Sequence, residues 1–183
     1  MQDSRYVVRF LLFWVVALTL TAPASATTLV RRGLDRLTLE SEQIVEVSVL
    51  DLHSYWNAEH TFILTDVRAR PARVLKGDVD EDVVFTIPGG TVGDRTILIL
   101  GGPDISAGSD YVLFLGRTDL PGAPGRLTVR DLCQGVFVVE RGRAFSQAMR
   151  EPLVPDAQGL MDVPGGKEGL PLEELARRVF ELR

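Results

Sequence analysis

The residues whose types could do chemistry in this chain are its two histidines, its single cysteine, an acidic triplet, two glycine pairs and a row of cations. His53 and His60 flank an expected hairpin, where a metal ion would have to recruit Asp51, Glu59 or Asp66 as well. Metal sites need about three or four ligands and outer groups that orient them. These residues have no recognised ligand spacing, so solvated hairpin histidines are the expectation. Asp78, Asp80 and Asp82 have the alternate spacing that opens a calcium loop, but Val83 stands where the turn glycine belongs and Gly89 where the bidentate glutamate belongs. That triplet is expected to be an acidic turn.

Cys133 precedes Gln134-Gly135 between two expected strands. A catalytic thiolate needs a nearby histidine or a helix N-terminus, and neither histidine is placed to serve it, so Cys133 is expected to be a small buried core residue. No serine has the G-x-S-x-G context of a nucleophile elbow. The glycine pairs 89–90 and 101–102 carry no Lys-Ser/Thr and open no helix, which excludes a phosphate loop and leaves turns. No catalytic residue, cofactor or metal is assigned. One charge concentration remains: Arg68, Arg70, Arg73 and Lys76 form a basic strip, a possible partner surface, to be weighed against a solvated face paired with the chain's many acids.

The strip lies on the stretch that organises the rest. Phe62 to Gly77 reads as a long strand, with Ile63, Thr65, Val67 and Ala69 on one face and Asp66, Arg68 and Arg70 on the other. Pro71 cannot donate to a ladder and marks an edge or a bulge. Before it, Gln43 to about Trp56 alternates around β-branched Val45, Val47 and Val49, so Asn57-Ala58-Glu59 makes a hairpin loop. A brief helix is expected near Leu34 and Leu37.

After Gly77, strands are expected at 83–87 and 96–100, each stopped by proline and glycines. Tyr111 to Leu115 is apolar on both faces and is expected to be the most buried strand. A Pro/Gly loop at 120–125 precedes strands at 127–132 and 136–140, and residues 152–169 read as loop. Leu172, Leu175, Ala176, Val179 and Leu182 recur at helical spacing behind Pro171, so 170–183 is expected to be an amphipathic helix.

The start of the chain has the three regions of a secretory signal peptide: Arg5 and Arg9, the apolar run Phe10 to Leu20, and Ala24-Ser25-Ala26. Residues 1–26 are therefore expected to be cleaved, 27–150 to form one β domain and 151–183 to supply a loop and a helix packed on it. A membrane would be met only through an uncleaved signal segment. The formal charge of −5 argues against nucleic acid, which needs a basic surface. One cysteine allows no internal disulfide, so packing and hydrogen bonds must stabilise the fold.

Val74-Leu75-Lys76-Gly77, Pro88-Gly89-Gly90, Asp110 to Leu115 and Gln134-Gly135-Val136-Phe137, in that order, resemble a group of exported bacterial proteins of unknown function. More remotely, the order is similar to the netrin-like OB barrel of tissue inhibitors of metalloproteinases. The chain departs from those inhibitors because its mature start would be Thr27-Thr28, with no cysteine before Cys133. None of their inhibitory residues carries over. The resemblance implies an all-β, OB-like antiparallel barrel with a C-terminal helix in the periplasm or outside the cell. The expected role is a non-catalytic binding or interaction module for a protein or envelope component. The alternatives are a secreted hydrolase drawing on Cys133, His53 and His60, or a protease-regulating partner.

Overall fold

A computed structural model describes residues 30–79, 81–150 and 168–183. The expected signal segment, Asp80 and nearly all of the expected 152–169 loop lie outside the described residues. The fold is mostly antiparallel β-sheet with two short helices, α1 (Leu34–Glu40) and the C-terminal α2 (Leu172–Leu182).

The long strands fall where the alternation places them: β1 is Gln43–Trp56, β2 is Ile63–Lys76 and β3 is Val83–Pro88. A small two-stranded sheet follows, β4 (Gly90–Val92) with β5 (Arg95–Ile97). Then come β6 (Asp110–Leu120), β7 (Ala123–Val129), β8 (Val136–Glu140), β9 (Arg143–Ser146) and β10 (Leu170–Pro171). The main sheet runs β10-β9-β8-β6-β1-β2-β3, with β7 also paired to β6. β3 and β7 come within 8 Å at Cα, but no ladder joins them, so hydrogen bonds do not close the sheet.

Several expected bounds need correction, among them the strand at 127–132, which ends at Val129. The Pro/Gly loop at 120–125 shrinks to a turn at Pro121-Gly122, because Ala123 to Val129 pairs back on β6 from Leu120 onward. The strand expected at 96–100 ends at Ile97. Leu98 to Leu100 leave the ladder because Gly102 N–H bonds back to the Ile99 carbonyl at 3.0 Å and turns the chain.

Bulges decide which side chains share a face. β1 pairs Val49 with Ala69 and then Asp51 with Arg68, so Leu50 is an extra residue. Leu52 therefore faces inward, whereas strict alternation from Val49 would send it outward. On β2, Glu46 opposes Arg73 and Val47 opposes Pro71, leaving Ala72 extra beside the proline, where a bulge was expected. This bulge puts Arg73 on the same face as Arg68 and Arg70.

The sheet is buried on both sides. Inside its curl, Val45, Val47, Val67, Phe85, Leu113 and Val129 form one core cluster, to which both β3 and β7 contribute. On the other face, Ile44, Phe114 and Phe137 meet Leu34 and Leu37 of α1 and Leu175 and Val179 of α2. Both faces of β6 are thus covered, as its sequence requires.

The β1–β2 hairpin is tied by Asn57, which is buried. Its Oδ1 accepts from the N–H groups of Thr61 (2.9 Å) and Phe62 (3.0 Å), and its Nδ2 donates to Glu59 Oε2 (2.9 Å) and to the Pro121 carbonyl (3.3 Å). Asn57 therefore joins this turn to the β6–β7 turn. Asn57→Ala would strand two backbone donors, and a loss of about 2–3 kcal/mol in urea-unfolding stability is expected. Asn57→Asp keeps the acceptor and should recover part of it.

Pro171 is the N-cap of α2 rather than a member of its first turn, and it also pairs with Arg143 of β9. Glu173 and Glu174 follow, placing negative charge at the helix N-terminus, where it is favourable. Bonds from Arg177 and Arg178 hold the Glu174 carboxyl down at about 2, against an ordinary value of 4.5. Because the folded value is the lower one, its contribution to stability is complete above about pH 4.5 and is lost as pH falls through about 2. A carbon-detected NMR titration should find Glu174 depressed at low salt and closer to an ordinary glutamate at high salt, since the pairs face water.

Candidate functional site

The basic strip shares one face, and most of its charge is spent inside the molecule. Arg68 forms an ion pair with Asp51, its cross-strand partner, and reaches Asp82 at 3.5 Å. Those bonds raise the pKa of Arg68, the Asp51 hydrogen bond most of all. Arg73 lies 3.3 Å from Glu46 and donates to both carboxylate oxygens of Glu173 on α2 at 3.0 Å. Lys76 Nζ donates to the carbonyls of Thr38 (2.6 Å) and Leu39 (3.3 Å), where a cation satisfies the C-terminal end of α1. Arg73 and Lys76 thus fasten the two helices to β2. Only Arg70, opposite Ser48, is exposed with no ion pair among the described residues.

The other candidates lie apart. His53 is exposed on β1 and stacks on Tyr55 with ring centroids 6.2 Å apart, while His60 is exposed in the hairpin turn and stacks on Trp56 at 6.4 Å. Cys133 is buried in a short 3-10 helix, Leu132–Gly135. Among the described residues no group of three or more His, Cys, Asp and Glu side chains could hold a metal ion. Beside His53, Tyr55 donates to Asp66 Oδ1 (3.1 Å), as does Thr86 (2.6 Å); burial, and then this bond, raise the pKa of the Tyr55 phenol.

Apart from the glycines of the two pairs, residues not singled out from the sequence build an open cleft of about 330 Å³. Leu52, Ser54 and Thr65 of β1 and β2 form part of its wall, with Ile87 and Pro88 from β3, Gly89-Gly90, Ile97 to Ile99 and Gly102 to Ile105. Ile105 and Ile87 also belong to the inner core, so the cleft continues the core to the surface. The segment over it is fastened. The Gly101 carbonyl accepts from Cys133 N–H at 3.0 Å, and Gln147 bonds both the N–H and the carbonyl of Asp104. Held this way, Leu98 is 82 % and Leu100 86 % exposed, although leaving aliphatic side chains in water is unfavourable.

The polar side chains of the cleft form a short relay. Thr65 Oγ1 donates to the Gly89 carbonyl at 2.7 Å, and Ser54 Oγ lies 2.8 Å from Thr65 Oγ1. A hydroxyl has one hydrogen. Thr65 spends its own on Gly89, so Ser54 is the donor to Thr65. Gly90 packs against both hydroxyls at φ +131°.

The signal that could have marked this site was Thr96 to Leu100 itself, an apolar run between two glycine-proline stops. Its reading as a paired strand hid it. Among the described residues no helix is long and apolar enough to cross a membrane. No protein-family model and no curated protein matches the chain.

Proposed function

We propose that this chain is an exported, non-catalytic binding module and that its ligand surface is the cleft rather than the basic strip. The observation that carries this reading is the pair of leucines held in water beside an open apolar cavity. A small-ligand site is concave, mostly apolar, and carries a few placed polar groups; the cleft has that composition. Export is supported by the pattern of residues 1–26. An OB-like barrel is supported by the strand order β3-β2-β1-β6-β7 and by the approach of β7 to β3. Those two strands run in the same direction, because each is an even number of antiparallel steps from β1.

The test uses an uncharged apolar dye, Nile red, and fractionation of the native host. Fluorescence should rise on mixing with the protein, and Leu98→Asp with Leu100→Asp should abolish the rise while leaving the unfolding free energy within about 0.5 kcal/mol, as exposed sites do. Mass spectrometry should find the envelope or secreted form beginning at Thr27. Dye binding indifferent to both substitutions would sink the cleft, and an intact chain confined to the cytoplasm would sink export.

A further inference from the structure

The side chains that line the cleft can accept hydrogen bonds but have none left to donate. Thr65 gives its hydrogen to the Gly89 carbonyl, and Ser54 gives its hydrogen to Thr65. The remaining lone pairs of Ser54 are free to accept. Asp104 stands exposed on the rim, and its carboxylate has no cation paired with it among the described residues. The lining contains no lysine, arginine or histidine. A ligand carboxylate or phosphate would therefore meet lone pairs at Ser54 and a like charge at Asp104, with no opposite charge to offset its loss of water.

We infer that the cleft takes an aliphatic chain ending in a primary ammonium, the chain lying against Ile87, Ile97 and Ile105 and the ammonium turned toward Ser54 and Asp104. A primary ammonium supplies donors and a positive charge, the complement of what those two residues offer. The available volume, about 330 Å³, lies at the small end of ligand pockets and accommodates a short single chain. The negative charge of the chain as a whole favours the approach of a cation.

This inference rests on the reading of the cleft as the ligand surface, and the experiment separates the two. Methyl-labelled protein, purified as the cell processes it, is titrated at neutral pH with n-hexylammonium, n-hexanol and n-hexanoate, following the isoleucine methyl signals. Hexylammonium should shift Ile87, Ile97 and Ile105 with a Kd at least tenfold below that of hexanoate, and hexanol should fall between them. Asp104→Asn should bring hexylammonium and hexanol close to parity. This substitution sits at an exposed position whose bonds to Gln147 are made by the backbone, so the fold is retained. Hexanoate binding as tightly as the amine would overturn the inference while leaving the cleft a ligand surface. So would Asp104→Asn leaving the gap between amine and alcohol unchanged. If none of the three moves those methyl signals, the cleft reading and the inference fall together.

Discussion

Phe114→Ala is expected to lower unfolding stability by about 3–5 kcal/mol, the range for truncating a fully buried aromatic. Phe114 has no exposed surface and lies on β6, which pairs with β1, β7 and β8. A central strand held by three neighbours cannot move in to fill the space its ring leaves, and that places the cost toward the upper part of the range. Its ring meets Phe137 with centroids 5.5 Å apart and planes tilted by 47°, in a cluster that also contains Leu34 and Leu37 of α1 and Leu175 and Val179 of α2.

The same substitution should therefore loosen the helices as well as the sheet. Amide exchange in α2 should accelerate in Phe114→Ala. It should change less in Phe85→Ala, an equally deep truncation in the inner cluster, which lacks helix residues. Combined with Leu175→Ala, the loss should deviate from additivity by about 0.5–3 kcal/mol, as for groups sharing one cavity. A Phe114→Ala loss below about 1.5 kcal/mol would mean that the helix layer does not close over β6 as described.

How much could be read from the sequence depended on whether the deciding contact was local. The alternation in Gln43–Trp56 and Ile63–Lys76, the two apolar faces of Tyr111 to Leu115 and the helical spacing behind Pro171 each reflect one element burying its own face, and each marked its element, although β6 continues past Leu115 to Leu120. Pro71 announced its bulge because the cause, a missing donor, is in the residue itself. The bulge at Leu50 had no such marker. It lies just past the end of the β1–β6 ladder, whose last pair is Ser48 with Asp110, and nothing in Val49-Leu50-Asp51 shows where that ladder ends. β9 closes a local hairpin on β8 through Arg141-Gly142, whereas β10 is a two-residue edge piece whose pairing depends on the distant return of the chain.

The site was harder still. The charge row was visible, but the partner of Arg73 is Glu173, one hundred positions away, so a row of cations in sequence became a set of internal fastenings in space. The cleft is assembled from four separate stretches, and its exposed leucine, Leu98, belongs to a run whose composition reads as a buried strand. Hydropathy reports that such a run would gain by burial; whether the fold provides that burial depends on a turn at Gly101-Gly102 and on two anchors, Cys133 and Gln147.

Gly90→Ala is expected to produce the largest change at the cleft itself, with a stability loss of about 2–4 kcal/mol from backbone strain and overpacking together. The backbone at φ +131° is a conformation that L side chains rarely adopt, and a β-carbon there would stand 2.5 Å from Ser54 Oγ and closer still to Thr65 Oγ1. Neither neighbour can give way cheaply. Thr65 is buried and β-branched, and its hydroxyl is committed to the Gly89 carbonyl. The new methyl would part the hydroxyl pair, and binding of n-hexanol should weaken along with the fold. Gly93→Ala provides the control: its φ is +60°, but a β-carbon there meets nothing within 4 Å, so only the conformational cost of about 1–2 kcal/mol applies. The difference between the two variants in urea unfolding isolates the steric part. Equal losses would show that the hydroxyl pair yields to the methyl without cost, and the relay from Ser54 through Thr65 to Gly89 could not then be what orients the cleft.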